Sequence, residues 1–546
     1  MVSPRTTSRP RRRARTYATT AVAVGTAVAL VFSGCSSSDD SSSTSLAEVP
    51  PSVPAPQIDR AGVDSAIDQL DGYVEKIMTD TGAPGVAVAV VYEGEVLYAK
   101  GFGVKKVGES GKVDTSTMFQ LASVSKPLAS SVVATVVGDG KINWDDPVKT
   151  YEPGFAVADP YVTANATYTD LMSHRSGLPD HAGDLLEDLG YSYPETISRL
   201  NQFPLYPFRD HYDYTNYGFS IAGNAAANAS GMSWADLSEQ AIYEPLGMEN
   251  TTSRYDEWLN SPNRAYNHQL SDADAKTWAA EYVSNPAEQA PAGGAMSSVD
   301  DMAKWVQMEL ADGMFNGQQV VDAEELQFTH QAHSFAHPST TPGARDGFYG
   351  IGFNVDTDAH GRVQIGHAGA FALGASTDVK MLPSEQLGIV VLANTAPVGV
   401  AETITAQFLD YVSNGKLTVD WAPFIAGQFE MVINAGRSEV DYANPPADAP
   451  PARAAGDYIG RYTSPFYGSA EVVAEGNNLV LKIGRDLQQS YPLTHYQGDT
   501  YWFEPEGENA AGPTGAEFTV TDGPASTMTI EYFDRDGLGT FTRAPQ

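Results

Sequence analysis

A chain of 546 residues is longer than one compact domain usually holds, and a hydrophobic share of 42% is that of a globular protein. The net charge of -35 repels phosphate backbones, which argues against nucleic acid as a partner and suits a protein that stays dispersed. A single cysteine excludes an internal disulfide, so stability has to come from packing.

The chain opens with Arg5, Arg9, Arg11, Arg12, Arg13 and Arg15, followed by an apolar run from Ala18 to Phe32. That run is shorter than the roughly 20 residues a membrane-spanning helix needs. Small residues Ser33 and Gly34 then precede Cys35, so residues 1–34 read as an export signal. With Cys35 behind it, the segment resembles a bacterial lipoprotein signal. The resemblance implies lipidation at Cys35 and an exported protein held at the outer side of the cell membrane by that anchor. Phe32, three places before Cys35, departs from the pattern, and an ordinary cleaved signal or an uncleaved anchor competes with it. Removing residues 1–34 takes away six arginines and no acid, so the exported chain is more acidic still. Residues 35–57, rich in Ser, Asp and Pro, read as a flexible tether.

Val63, Ile67, Leu70, Val74 and Ile77 recur at helical spacing. Residues 86–92 and 96–102 flank the turn Glu93-Gly94-Glu95 and read as a hairpin. From about 115 to 312 the pattern is helical and looped, punctuated by Gly, Pro and Asn. Strands resume at 349–355, 363–366, 377–382 and 389–393, and 401–412 reads as a helix. These elements predict an α+β domain over 58–415: one antiparallel sheet built from both ends of the segment, covered by helices, with a helical insertion. Residues 416–456, Pro- and Ala-rich from 444, read as a linker. Beyond it, 457–546 alternates short β-prone runs (458–462, 469–474, 479–483, 500–503, 517–520, 527–533 and 540–543) with turns. That texture predicts a C-terminal all-β barrel or sandwich.

The chemistry centres on Ser123-Val124-Ser125-Lys126-Pro127. Pro127 has no N–H and fits a helix only in its first turn, so a helix should begin near Ser123 and run to about 137. Ser123 then lies at a helix N-terminus, where free N–H groups favour developing negative charge. Lys126 follows three residues on along the same face. A serine hydroxyl needs a base within reach, and a lysine serves if burial lowers its pKa. Ser-x-x-Lys alone is a chance-level pattern that equally marks a cap followed by a solvated lysine. Two further patterns add to it. Tyr214 and Asn216, two residues apart, face one way if their loop is extended. His367 continues the strand face of Val363 and Ile365, and Gly369 lets backbone approach a ligand closely.

Ser123-x-x-Lys126, Tyr214-x-Asn216 and His367-x-Gly369 resemble, in order and rough spacing, the motifs of class C β-lactamase-like serine hydrolases. That group includes D-Ala-D-Ala carboxypeptidases, D-aminopeptidases and esterases. The stretches Leu171-Met172-Ser173-His174-Arg175-Ser176-Gly177-Leu178, Tyr243-Glu244-Pro245-Leu246-Gly247-Met248, Pro291-Ala292-Gly293-Gly294 and Tyr349-Gly350-Ile351-Gly352 match as well. The resemblance covers about 60–412 and implies a β-lactamase/transpeptidase-like fold. It implies that Ser123 forms an acyl-enzyme, that Lys126 and Tyr214 share the general-base work, and that Tyr214 protonates the leaving group. Asn216, His367 and Gly369 would bind substrate, and the N–H groups of Ser123 and Ala370 would form the oxyanion hole. His367 stands where true β-lactamases carry a lysine. Because a histidine is largely neutral near pH 7, peptidase and esterase activity rank above β-lactamase activity. The tail, with Tyr458-Ile459-Gly460-Arg461-Tyr462, Tyr467-Gly468 and Leu479-Val480-Leu481, is similar to the lipocalin-like C-terminal domain of an archaeal self-compartmentalising peptidase. In such proteins that domain supports homo-oligomers and shapes access to the site.

The leading expectation is an exported hydrolase that takes a small-molecule or short peptide substrate through an acyl-serine. A cell-wall D-Ala-D-Ala carboxypeptidase or β-lactamase is the second, and a catalytically silent envelope module the third. Serine acyl transfer calls for no cofactor. His330, His333 and His337 could share a helical face and bind metal, but His337 precedes Pro338, which disfavours helix there, so no metal site is expected. Specificity is expected in loops 180–193 and 253–286.

Overall fold

The computed structural model describes residues 56–272, 275–339 and 345–545. The signal read at 1–34, Cys35 and all but the end of the tether lie outside them. The elements that carry the site are α1 (Arg60–Thr81), β1 (Gly85–Tyr92), β2 (Glu95–Gly103), α2 (Ser125–Gly138), α3 (Asp184–Asp188), α4 (Asn216–Ser230) and α5 (Val299–Leu310). After them come β3 (Ser334–His337), β4 (Gly347–Tyr349), β5 (Asn354–Thr357), β6 (Val363–Phe371), β7 (Ala375–Leu382), β8 (Leu387–Ala393), α6 (Val400–Asn414) and α7 (Trp421–Ala435).

α1 begins where the Asp59 carboxylate accepts the Gly62 N–H at 2.8 Å and ends at Gly82, which takes φ 73°. Its buried stripe is Val63, Ala66, Leu70, Val74 and Ile77. The main sheet has eight antiparallel strands in the order β2-β1-β8-β7-β6-β5-β4-β3. β1 pairs with β8, Val86 opposite Ala393, so the two ends of the domain meet in the sheet's interior as the pattern predicts. β1 is buried at every position because helices cover both faces. Ala87, Ala89 and Val91 join the core shared with α2 and α5, while Val86, Val88 and Val90 join the core under α1 and α6. A strand buried on both faces reads as a continuous apolar run.

The run expected as one strand over 349–355 is two. Between β4 and β5, Gly352 takes φ 76°, and a Cβ there would collide with Ser130 Oγ and sit 2.8 Å from the Lys126 carbonyl oxygen. The ladder breaks so that α2 can come close. The segment 416–456 read as a linker carries α7, with Pro423 in its first turn. The Trp421 indole N–H donates to Asp410 Oδ2 at 2.9 Å and ties α7 to α6. Phe424, Met431 and Val432 of α7 stay exposed, so no buried stripe marks it in the sequence.

The C-terminal region is a closed barrel of eight strands in sequential order: β9 (Gly460–Ser464), β10 (Gly468–Glu475), β11 (Asn478–Ile483), β12 (Gln489–Gln497), β13 (Thr500–Phe503), β14 (Thr514–Thr519), β15 (Thr527–Ile530) and β16 (Thr540–Arg543). β12 is absent from the sequence-derived strands because Pro492 interrupts it. The barrel tolerates that proline: Pro492 lies opposite Val480 of β11, and pairing to β13 begins only at Thr494. The barrel packs on the insertion that holds α3. The Tyr191 hydroxyl donates to the Tyr467 carbonyl at 2.8 Å, and Arg199 Nη1 donates to the Phe466 carbonyl at 2.7 Å. Asp188 accepts the N–H groups of Glu508 and Asn509 at 3.0 and 3.1 Å. Glu508 in turn accepts the N–H groups of Ala372 and Leu373 in the β6–β7 turn.

Candidate active site

Ser123 sits in a 3-10 turn, Ala122–Val124, that runs straight into α2. Pro127 occupies the first turn of α2, as its missing N–H requires. Ala122 is fully buried with φ 47°, a left-handed conformation that costs a non-glycine residue about 1–2 kcal/mol. The neighbouring strand holds this turn in place. The Thr377 hydroxyl of β7 donates to the Leu121 carbonyl at 2.7 Å. At Gly369 of β6, a Cβ would collide with that same carbonyl and lie 2.9 Å from Val124 N. Gly369 is thus a point of backbone contact between β6 and the serine turn. Ala370 follows it on β6, exposed and opposite Ser376.

Three groups converge on Lys126 Nζ: Asn216 Oδ1 at 2.7 Å, the Ala292 carbonyl at 3.1 Å and Ser123 Oγ at 3.1 Å. Lys126 is fully buried, and burial lowers its pKa to about 7, opposed by the charge of Asp184. A neutral amine has two N–H groups and one lone pair. Asn216 and Ala292 offer only acceptors, so they take both hydrogens and leave the lone pair for the Ser123 hydroxyl. The Tyr214 hydroxyl donates to Ser123 Oγ at 2.8 Å. Burial raises the Tyr214 pKa well above its ordinary value, so it remains a phenol that can give a proton.

Asn216 is the first residue of α4, and Tyr214 lies in the loop before it. The Asn216 amide spans two groups: Oδ1 meets Lys126, and Nδ2 donates to Asp184 Oδ2 at 2.7 Å. Asp184 Oδ2 also meets His181 Nδ1 at 2.7 Å. Asn216 therefore positions the lysine. Behind Tyr214 lies His174, whose ring centroid is 4.5 Å away and whose Nδ1 accepts the Thr215 N–H at 3.2 Å. Buried Asp170 pairs with Arg175 at 2.9 Å and Arg209 at 2.8 Å, which ties the loop carrying His174 to the one carrying Tyr214.

His367 lies on β6 with its ring centroid 6.1 Å from that of Tyr214. Its Nδ1 contacts the Ala368 carbonyl at 2.5 Å, so Nδ1 carries the hydrogen and Nε2 accepts the Tyr349 hydroxyl at 2.9 Å. Burial lowers its pKa to about 3, so it is a neutral imidazole. Of the residues named from sequence, the structure thus brings Ser123, Lys126, Tyr214 and Asn216 into one hydrogen-bonded cluster. Gly369 and His367 line the strand beside it. Sequence reasoning missed Asp184, His181 and the Ala292 carbonyl, although the stretch containing Ala292 was noted. The three histidines considered for metal diverge. His330 meets Glu309 Oε2 at 2.9 Å, His333 meets the Phe328 carbonyl at 2.8 Å, and His337 ends β3.

Acidic groups ring the cluster where the insertion meets the barrel. Asp180, Asp184, Glu187, Asp188 and Glu508 all lie there; burial raises the pKa of Asp180, Glu187, Asp188 and Glu508, for Glu508 to about 8.

A family model described as beta-lactamase matches residues 70–411, more than half of the chain. One described as a domain of unknown function (DUF3471) matches 444–540. The chain is similar to an unguisins hydrolase of Aspergillus campestris, 25% identical over 455 residues that cover 78% of this chain and 82% of the relative. It is also similar to the D-alanyl-D-alanine-carboxypeptidase/endopeptidase AmpH of Escherichia coli, 24% identical over 339 residues that cover 61% and 85%. The octameric penicillin-binding protein homologue from Pyrococcus abyssi shares the fold, with a TM-score of 0.55 at 21% identity over 87% of this chain and 100% of that one. The chain belongs to the beta-lactamase family, a family of serine hydrolases, and carries a C-terminal barrel beside that domain.

Proposed function

We propose that the protein is an exported serine hydrolase that cleaves peptide, amide or ester bonds through an acyl-serine intermediate. The observation that carries this reading is the arrangement at Lys126, whose buried Nζ lies 3.1 Å from Ser123 Oγ while Asn216 Oδ1 and the Ala292 carbonyl accept its other hydrogens. In the proposed reaction Ser123 attacks the carbonyl while Lys126 takes its proton. The N–H groups of Ser123 and Ala370 receive the developing oxyanion. Tyr214, still a phenol, delivers a proton to the leaving group. Water then releases the acyl group from Ser123. Lys126 carries the base work here, and Tyr214 acts as donor and relay.

The substrate follows from charge. His367 offers no cation for a carboxylate, and Asp180, Asp184 and Asp188 beside the cluster disfavour one. Acyl groups that are neutral or carry an ammonium fit better. The test is a panel of D- and L-aminoacyl amides, p-nitrophenyl esters and nitrocefin on the wild type and Ser123→Ala, with fluorophosphonate labelling alongside. Labelling and turnover should both vanish in the variant; a variant that turns over normally would sink the reading.

The second reading, a D-Ala-D-Ala carboxypeptidase or β-lactamase, draws support from the likeness to AmpH. It requires covalent labelling by a fluorescent penicillin, and an unlabelled but esterase-active protein would exclude it. Export and anchoring rest on residues 1–35. Among the described residues no helix is long and apolar enough to cross a membrane. If Cys35 carries the anchor, Cys35→Ser should move the protein from the membrane fraction to the soluble one.

A further inference from the structure

The main sheet has a second built face. Along β7, Thr377, Val379 and Met381 point toward Ser123 and α2, so Ser376, Asp378, Lys380 and Leu382 point the other way. Behind them, roofed by α6 and α7, lies a cavity of about 500 Å³. Its walls are largely apolar, with Leu382, Leu409, Val419, Trp421 and Ile425 among them.

Two carboxylates facing this cavity are unsatisfied. Asp378 is 1% exposed; its Oδ2 accepts the Thr405 hydroxyl, the Val379 N–H approaches the carboxylate, and its Oδ1 has no partner of good hydrogen-bond geometry among the described residues. Lys380 Nζ stands 3.9 Å from that oxygen, beyond hydrogen-bond range. Among the described residues, Glu402 of α6 has only its own backbone N–H and the Ser376 hydroxyl close by, and neither reaches either carboxylate oxygen in good hydrogen-bond geometry. The other two acids on the cavity wall differ. Asp410 accepts from Thr418, Asn414 and Trp421, and Asp358 is held by Arg362. Unpaired buried carboxylates are costly, and native proteins keep few of them unless something outside the chain supplies the donors.

A ligand that satisfies this cavity brings N–H donors and positive charge at one end and apolar surface at the other. A strongly hydrated cation gains little from walls of Leu382, Leu409 and Ile425. We propose that the cavity between β7, α6 and α7 binds a small organic ammonium ion with an apolar body, its N–H groups shared by Asp378 and Glu402.

The titratable groups that line the cavity with Glu402 are Asp378 and Lys380 from β7, Asp410 from its own helix, and Asp358 and His360 from beyond β5. Burial, then the charge of Asp378, raises the Glu402 pKa to about 8. An arriving ammonium should therefore expel a proton from Glu402 at neutral pH, and binding should tighten as the pH rises toward 8.

The test is calorimetric titration of the purified protein with 4-phenylbutylamine and with the uncharged 4-phenylbutan-1-ol. The amine should bind at least roughly tenfold more tightly than the alcohol. Its apparent heat should vary with the ionisation heat of the buffer, which reports the released proton. Glu402→Gln and Asp378→Asn should each weaken the amine by roughly tenfold or more. Ala406→Phe, which fills the cavity and keeps both carboxylates, should abolish binding, and melting curves verify that each variant is folded. Equal affinity for amine and alcohol, undiminished binding by folded Glu402→Gln or Ala406→Phe, or no binding by the wild type would overturn the proposal. None of these outcomes depends on the acyl-serine reading, which stands or falls on Ser123.

Discussion

Lys126 and Glu402 lie on opposite sides of the main sheet, and burial has pushed each toward its neutral form. The lysine falls to about 7 and the glutamate rises to about 8. Their surroundings differ. Lys126 has acceptors for both amine hydrogens and a hydroxyl for its lone pair, whereas Glu402 has, among the described residues, only the Ser376 hydroxyl and its own backbone N–H nearby, neither in good geometry. Burial, joined at Glu402 by the charge of Asp378, thus makes a titratable group near neutrality, and the hydrogen-bond set decides whether that group is a poised base or an unfilled seat. The front of the sheet is complete without a ligand, and the rear is not.

The largest expected effect tests the front. Ser123→Ala should lower turnover on the order of 10⁶-fold, by analogy with other serine hydrolases, while leaving the melting temperature nearly unchanged, because Ser123 is half-buried and only its hydroxyl is lost. Turnover on the best substrate of the panel and a thermal melt check both halves.

Lys126→Met comes next, with a loss of about 10⁴-fold. In the wild type kcat/KM should rise with pH through an apparent pKa of about 7, since Lys126 accepts a proton only when neutral. The stability of this variant carries its own signature. The folded pKa lies near 7 and the unfolded value at 10.5, so between them the unfolded chain holds a proton that the folded chain has released. Wild-type stability gains from rising pH in that window. The stability of Lys126→Met relative to the wild type should therefore fall from pH 7 upward, and a flat difference in denaturant melts would refute the buried neutral amine.

Tyr214→Phe separates base from donor. Turnover should drop about 10²-fold, yet the ascending limb of kcat/KM should stay near 7, because burial keeps Tyr214 protonated throughout that range. A limb that moves by more than about one unit would assign part of the base work to the phenol.

Much of the front was legible from sequence because its residues carry local constraints. Pro127 dictates where α2 starts, and that start aligns Ser123 with Lys126. The register of Val363, Ile365 and His367 puts Gly369 on one strand face as a point of close approach, although that it meets the backbone of the serine turn shows only in the fold. Asp184 was not legible, since it is one acid among 68 Asp and Glu residues and acts through a hydrogen bond to Asn216 across the fold. The spacing of Tyr214 and Asn216 suggested that both face one site, and they do; that the Asn216 amide meets Lys126 and Asp184 follows from the start of α4 at Asn216, which the spacing did not show. α7 has no buried stripe, and β12 contains Pro492, so neither shows the periodicity that marks a helix or a strand. The rear cavity depends on α7, so it could not be seen without it.

The smallest effect sharpens the comparison from the other side. Folded Glu402 keeps its proton up to about pH 8, whereas the unfolded chain loses it near 4.5. Between those values the folded chain holds more protons, and wild-type stability falls as the pH rises. Glu402→Gln removes that fall while keeping the shape. Its stability relative to the wild type should be flat below pH 4.5, grow through the window and level off above 8. This slope is opposite in sign to that of Lys126→Met, and denaturant melts of both variants at pH 5, 7 and 9 would show it. A Glu402→Gln difference that does not grow with pH would mean that donors already reach the carboxylate, and that the rear of the sheet is as complete as the front.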